Sequence, residues 1–309
     1  MVKIDLITGF LGSGKTTFIK KYAQYLLDKG YNIGILENDF GAVNVDMMLL
    51  QELIGEKCEL EMVAGGCDAD CHKRRFKTKL ISMGMCGYDR VLVEPSGIYD
   101  VDEFFDVLCE EPLDRWYEIG NVFTIVDANL DNELSEQSEY LLASQIAQAG
   151  KVIISKTEEA SEEQRKDTIA HLNRVMEMFQ CKRRFDNELT ERGLGELTRE
   201  DFDTLITAGY THDSHTKLWF EHNEAFQSIY FMNLQMSGEK LKEVVKEIME
   251  DDACGKVFRI KGFMQVEPDK WVQLNATKSK ITVKPIEKGQ EILIIIGEDL
   301  VEEKIKEHF

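Results

Sequence analysis

The stretch Gly9-Phe10-Leu11-Gly12-Ser13-Gly14-Lys15-Thr16-Thr17 holds the residue types that grip a polyphosphate. From Gly9 to Thr16 it fits the pattern G-x-x-x-x-G-K-[ST]. Gly12, Ser13 and Gly14 let backbone N–H groups curl around phosphate oxygens, and a helix starting at this point adds its positive dipole end. Lys15 reaches the outer phosphates. The Thr16 hydroxyl, with Thr17 beside it, is placed to ligate Mg²⁺. Glu94-Pro95-Ser96-Gly97 supplies the complementary parts: an acid that holds Mg²⁺, directly or through water, and a glycine whose N–H approaches a γ-phosphate. Asp39 or Asp46, in the polar loop 38–46, would serve Mg²⁺ or an attacking water.

A second kind of chemistry is suggested by Gly65-Gly66-Cys67-Asp68-Ala69-Asp70-Cys71-His72. Cys67, Asp70, Cys71 and His72 are four candidate metal ligands within six residues. Cys-x-x-x-Cys leaves two readings open, because tight zinc patterns need a second pair of ligands at set spacing. Either the segment binds a metal, or it holds two idle thiols at a helix start.

These residues need strands and helices to position them. Lys3–Ile7 reads as a buried strand and Thr17–Leu27 as a helix stopped by Gly30. Asn32–Glu37, Glu59–Val63, Tyr88–Gly97, Asn121–Asp127 and Lys151–Ser155 read as further strands. Lys73–Met83, Ser138–Ala149 and Ser161–Phe179 read as helices, the last with Ser161 as N-cap and Gln164 three residues on. Nearly all-apolar strands alternating with helices predict a mostly parallel sheet covered on both faces, an α/β fold. From Cys181 to about His222 the pattern loosens into peripheral structure and linker, and His212, His215 and His222 are read there as solvated. The remainder predicts a smaller α+β domain: a strand at 227–234, a helix at 239–250 capped by Ser237, short strands at 256–262, 271–274, 281–283 and 291–296, and a last helix from Asp299. The division is placed at 1–212 and 213–309.

The 309 residues carry a formal net charge of −20, with 43% hydrophobic and 30% charged residues. That field repels nucleic acid and anionic lipid, so neither is expected as a partner. The longest apolar run near the C-terminus, Ile292 to Ile296, is too short to span a bilayer. A first strand at residue 3 leaves no room for a secretory leader, so a cytoplasmic location with reduced thiols is expected for the seven cysteines.

In these motifs and their order the chain resembles the CobW-type P-loop GTPases, a group of metallochaperones and metal-insertase helpers. The likeness runs through Ile7–Thr17, Glu37-Asn38-Asp39-Phe40-Gly41 (similar to the family's switch I), Glu94–Gly97 (similar to its E-x-[ST]-G switch II), Thr124–Ala128 and Ser144–Ala147. It continues through Gly255–Gly262 and Ile295–Gly297 in the C-terminal part. There are three departures. Asp39 and Ala42 stand at the acidic places of N-E-F-G-E. In G-C-x-C-C, Gly66-Cys67 is kept, Ala69 and Asp70 fall where the next cysteines belong, and Cys71 comes one residue late. The guanine motif N-K-x-D becomes Ser155-Lys156-Thr157-Glu158.

The resemblance implies a Mg²⁺-dependent GTPase binding GTP and GDP. Lys15, Asp39 and Glu94 would be its catalytic groups, and Gly97, Ser155, Lys156 and Glu158 would join the phosphate loop in holding nucleotide. It implies a transition-metal cargo, Zn²⁺ or Co²⁺, on an altered site, and a client metalloprotein or corrinoid protein. Two other readings compete with it: a nucleotide-dependent partner-binding module whose metal role is lost, and a P-loop small-molecule kinase. Phosphate release with and without candidate metals separates the module from the GTPase. A kinase needs an arginine-rich lid, and the best arginine cluster is Arg74-Arg75.

Overall fold

A computed structural model describes residues 1–309 of the protein, except 40–46, 66–68, 186–188, 191–192, 212, 219–224, 235, 268–269, 288 and 290. The chain divides into two compact units, Met1–Leu218 and Trp219–Phe309.

The first unit is built on β1 (Val2–Thr8), β2 (Ile33–Asp39), β3 (Cys58–Ala64), β4 (Arg90–Pro95), β5 (Tyr117–Asp127), β6 (Lys151–Ser155) and β7 (Leu189–Thr190). They form one sheet in the order β3-β2-β4-β1-β5-β6-β7, and every pairing is parallel. The helices are α1 (Lys15–Asp28), α2 (Met47–Leu50), α3 (Ala69–Gly84), α4 (Val101–Leu108), α5 (Leu113–Trp116), α6 (Glu136–Ala147), α7 (Glu162–Met178) and α8 (Arg199–Leu205).

Strand alternation explains why both faces are covered. Ile7, Ile33, Ile35, Leu92, Phe123, Ile125 and Ile153 share one core with Phe18, Ile19, Tyr22 and Leu26 of α1 and Phe202 and Leu205 of α8. The residues between them, such as Ile4, Leu6, Leu36, Val91, Val93, Val122 and Ile154, are also buried. A strand apolar on both sides needs a layer on each side. A buried cluster fixes α1 to the sheet: Tyr22 OH donates to Asp5 Oδ2 at 2.9 Å, and Arg90 Nη1 donates to the same oxygen at 2.6 Å.

Local signals hold at several helix starts. Ser161 caps α7 in a full capping box with Gln164. The stretch expected to be peripheral, after Cys181, instead adds β7 and α8 to this unit. A two-residue strand has no periodicity to detect, and α8 shows only two buried apolar residues, Phe202 and Leu205. His215 is not solvated: its side chain is 2% exposed and its ring lies beside Tyr140. His212 and His222 lie outside the described residues.

The second unit is an antiparallel sheet of β8 (Gln227–Phe231), β9 (Lys256–Glu267), β10 (Lys270–Thr277), β11 (Lys280–Ile286) and β12 (Ile292–Glu298), ordered β11-β10-β9-β12-β8. Its helices are α9 (Gly238–Glu250) and α10 (Glu302–Lys306). Ser237 accepts the Lys240 N–H and starts α9, whose Leu241, Val244, Val245 and Ile248 pack on Ile260, Leu274, Leu293 and Ile295. Among the described residues, no helix is long and apolar enough to cross a membrane.

Candidate functional site

The C-terminal ends of β1, β2, β4, β5 and β6 carry the residues singled out by their chemistry. Between β1 and α1 the chain turns at Gly9, with φ at 141°. A Cβ there would meet the Ile125 carbonyl oxygen at 2.1 Å, so only glycine lets the loop press onto β5. Gly14 caps α1 in the left-handed region. Lys15 is buried, and its Nζ donates across the loop to the Gly9 carbonyl at 2.9 Å. The ammonium therefore sits over the ring of backbone groups that would face phosphate.

Thr16 and Glu94 come together from α1 and β4. The Thr16 hydroxyl donates to Glu94 Oε1 at 2.9 Å, and Glu94 is 5% exposed. Glu37, also buried, pairs with Glu94 in register across β2 and β4. Two buried carboxylates side by side favour a cation between or beside them. A hydroxyl and a carboxylate at the start of the phosphate-loop helix are hard oxygen donors that fit Mg²⁺. Glu37 was missed as a site residue because its apolar neighbours made it look like ordinary strand.

After β4 the chain passes under the phosphate loop. A Cβ on Gly97 would meet Leu11 N at 2.6 Å, which forces glycine here. This turn is held from α6: Gln145 Nε2 donates to the Gly97 carbonyl at 3.1 Å, and the Ser144 hydroxyl donates to Asp100 Oδ1 at 2.6 Å. Both residues belong to the Ser144–Ala147 motif, whose part the sequence left unassigned.

On the far side, the Ser155 hydroxyl at the end of β6 donates to the Ser13 carbonyl at 2.6 Å. Lys156 follows with φ at 54°, a conformation uncommon outside glycine, and its ammonium pairs with Asp127. Glu158 is exposed, and Gly193 lies against its carboxylate: a Gly193 Cβ would be 2.7 Å from Glu158 Oε2. Leu194, just beyond, approaches Gly14. The segment after β7 thus closes the side of the site where Ser155, Lys156 and Glu158 stand.

Asp39 ends β2, next to Ala64 of β3 in register. Asn38, one residue earlier, accepts the Ser96 N–H at its backbone carbonyl, 2.8 Å. Its side chain meets His72, with Oδ1 2.8 Å from His72 Nε2, while His72 Nδ1 is 3.1 Å from the Gly65 carbonyl. Asn38 Nδ2 is buried without a partner among the described residues. Turning the amide suits a neutral ring: one Nδ2–H then donates to His72 Nε2, and His72 Nδ1–H donates to the Gly65 carbonyl. Burial, with Arg75 adding to it, pushes the His72 pKa down against the Gly65 hydrogen bond and the Asp39 charge, which favours the neutral ring. Arg75 donates to the neighbouring Ala64 carbonyl at 3.0 Å.

Of the expected metal ligands, Cys71 is half-buried and lines a groove of about 610 Å³ with Met62, Arg74 and Lys79. Asp70 is exposed. Cys67, Asp68 and the loop 40–46, which includes Ala42 and Asp46, lie outside the described residues. For His72 to ligate through Nε2 it would have to leave Asn38.

Residues 3–184 match the family profile described as CobW/HypB/UreG, nucleotide-binding domain, and residues 228–309 match the cobalamin synthesis protein cobW C-terminal domain. Among curated relatives, the chain is 29% identical over 189 residues to the zinc chaperone YjiA of Escherichia coli, covering 56% of this chain and 55% of that protein. It is 29% identical over 164 residues to the zinc chaperone YeiR of the same organism, covering 53% of this chain and 49% of that protein. The chain spans about half the length of the curated relatives it matches. Among solved structures, the Zn(II)-bound YjiA GTPase from E. coli aligns at 18% identity over 100% of this chain and 98% of that one, with a TM-score of 0.38.

Proposed function

The chain belongs to the CobW/HypB/UreG family and carries a cobW C-terminal domain, and on that footing we propose that it is a Mg²⁺-dependent GTPase that handles a transition metal for a client protein. The observation that carries the reading is the Thr16–Glu94 pair, 2.9 Å apart at the foot of a complete phosphate loop. Relatives named as zinc chaperones and as a zinc-regulated GTPase metalloprotein activator support zinc as the cargo. The client would be a metalloprotein or a corrinoid protein.

The loop from Gly9 to Gly14 offers backbone N–H groups to the phosphates. Lys15 moves from the Gly9 carbonyl to the outer phosphates, where a fixed ammonium in a partly dry site stabilises developing charge strongly. Mg²⁺, held by the Thr16 hydroxyl and Glu94, would neutralise charge on the outer phosphates. Gly97 presents its N–H to the γ-phosphate, braced by Gln145. Asp39 orients the attacking water. Glu158 accepts from guanine N1–H and the exocyclic amine, and the Lys156 stem lies along the base. Ser155 serves this end of the site through the phosphate loop.

Asn38 links this chemistry to the cysteine segment. Its carbonyl holds Ser96, the neighbour of Gly97, and its side chain holds His72, which reaches Gly65 beside Gly66-Cys67. Ordering of the loops at 38–46 and 94–98 by γ-phosphate would therefore bear on Cys67, Asp70, Cys71 and His72, the cargo ligands in this reading.

The test is phosphate release from GTP and from ATP, with and without Mg²⁺, paired with zinc and cobalt titration in GDP and in a non-hydrolysable GTP analogue. Mg²⁺-dependent GTP turnover, with metal affinity that changes with nucleotide, is expected. Absent turnover overturns the enzyme. Turnover with nucleotide-indifferent metal binding leaves a GTPase without the metal role.

A further inference from the structure

The second unit holds a convergence of side chains that the nucleotide site does not use. α9 ends at Glu250, and Asp251 caps the 3-10 turn Asp252–Cys254, its Oδ1 accepting the Ala253 N–H at 2.9 Å. The turn closes with Cys254 N–H donating to the Asp251 carbonyl at 3.0 Å, and Val301 N–H binds the Cys254 carbonyl at 3.1 Å. The other carboxylate oxygen, Oδ2, is 3.0 Å from His308 Nε2 and 3.8 Å from Cys254 Sγ. Oxygen, nitrogen and sulfur all lie within 4.8 Å of one another, and among the described residues this is the group of three possible ligands that does so. On the other side of the ring, His308 Nδ1 is 3.5 Å from Glu247 Oε2, one turn back on α9.

We propose that Asp251, Cys254 and His308 form a second metal site, in the C-terminal unit, that takes a borderline divalent ion, Zn²⁺ foremost, with the fourth position open to water or an incoming ligand. Three donors of mixed S, N and O type with an open position make an exchangeable zinc site rather than a closed structural one. A thiolate argues against Mg²⁺ and Ca²⁺. The histidine is already oriented to ligate. Its Nε2 faces the cluster, and its Nδ1 faces the Glu247 carboxylate, which would hold the ring in the ligating orientation. An Asp–His hydrogen bond alone would tie the last helix to α9, but it would not need a buried sulfur at the same point.

Charge fits as well. Asp251 is placed as a carboxylate donor, with Oδ1 held by the Ala253 N–H and Oδ2 turned to His308. Cys254 would ligate as a thiolate, so an incoming ion takes the thiol proton's place and one proton is released to solvent per ion bound. Thiolate and carboxylate together then match the two positive charges. Cys254 is fully buried, while Asp251 and His308 are partly exposed and leave a way in.

The experiment is a Co²⁺ titration of the full chain in a Cys67→Ser/Cys71→Ser background, which removes the thiols proposed above for cargo. One equivalent with a thiolate-to-cobalt charge-transfer band and tetrahedral d–d bands, displaced by Zn²⁺, is expected. Cys254→Ser should abolish the charge-transfer band. Glu247→Gln should keep the band and weaken binding about 10–100-fold. No band in the background, or a band that survives Cys254→Ser, overturns the site. Should Cys254→Ser fail to fold, His308→Ala, near the chain's end, carries the decision: binding at the background's full affinity overturns the site, and its loss supports it. Failure here leaves the nucleotide reading untouched, because GTP turnover is not measured.

Discussion

Ser155 and Ser13 are joined across the site by a 2.6 Å hydrogen bond from hydroxyl to carbonyl. The pair ties the end of β6 to the phosphate loop. A serine has one proton to give, and the alternative acceptor, the Val126 carbonyl, is farther away at 3.2 Å. An asparagine at this place, as in the family pattern, offers two amide protons and an oxygen. Serine therefore keeps the brace on the loop and gives up reach toward a base. In the proposed function, discrimination between bases would then be left to Lys156 and Glu158.

Removing that brace should weaken nucleotide binding without abolishing it. A neutral hydrogen bond is worth about 1 kcal/mol, so Ser155→Ala should lower GDP affinity roughly 5-fold. Ser155→Asn should restore it. Calorimetric titration with GDP measures both, and parent affinity in Ser155→Ala would show that the brace does not position the loop.

Lys15→Ala should abolish GTP hydrolysis while the fold persists. In the proposed mechanism its ammonium acts on phosphate charge, and water can take its place at the Gly9 carbonyl. Thr16→Ala should shift the Mg²⁺ requirement upward, because Glu94 would lose its partner in the proposed hard-donor set. Turnover at the parent rate in Lys15→Ala, with thermal melting unchanged, would remove the lysine from the mechanism.

GTP should be preferred over ATP. Adenine would present its N1 acceptor to the Glu158 carboxylate, leaving both unpaired, and sites built on such bonds discriminate by up to ~10⁴. With Ser155 in place of asparagine the ratio should fall below that ceiling. Glu158→Ala should narrow it further. Competition between GTP and ATP for a fluorescent nucleotide reads the ratio, and equal affinities in the parent would refute the assignment.

How much of this picture was legible in the sequence depends on how local each signal is. The phosphate loop, the Glu94–Gly97 turn and the Ser161 and Ser237 caps are all written in a few adjacent residues, and they stand in the structure as the sequence implies. Gln145 and Ser144 were visible only as a motif with no assigned role, since their partners, Gly97 and Asp100, lie 44 or more residues away. The Asn38–His72 contact spans 34 residues, and β7 is two residues long. The Asp251–Cys254–His308 group joins residues up to 57 apart. No spacing rule reaches that far, because the separation is set by where antiparallel strands return the chain.

The Asn38–His72 contact should carry the nucleotide signal. Amide exchange over 65–75 should differ between GDP and a GTP analogue in the parent. Asn38→Ala removes the side-chain contact to His72 but keeps the carbonyl that binds Ser96. The nucleotide-dependent difference should then fade while nucleotide affinity changes little. A difference of parent size in Asn38→Ala would move the coupling elsewhere.

Stability of the first unit should fall as pH rises through the range set by Glu103. Its pKa is pushed up to about 7 by burial first and then by Asp100, with Asp106 adding to the effect and Lys73 and Lys217 opposing it. In the unfolded chain the same carboxyl loses its proton near its ordinary value of 4.5. Between those two values the unfolded state releases a proton that the folded state keeps, so rising pH favours unfolding. Below the window both states are protonated, and above it both are ionised with the full penalty in place. Glu103→Gln removes this penalty. The variant should match the parent near the bottom of the window and be the more stable above it. Partial solvent screening reduces the gain to about 1 kcal/mol, or ~2–4 °C in Tm for a unit of this size. Melting curves of parent and variant at about pH 5 and about pH 8 test it, and a Tm difference that is the same at both would exclude Glu103 as the source.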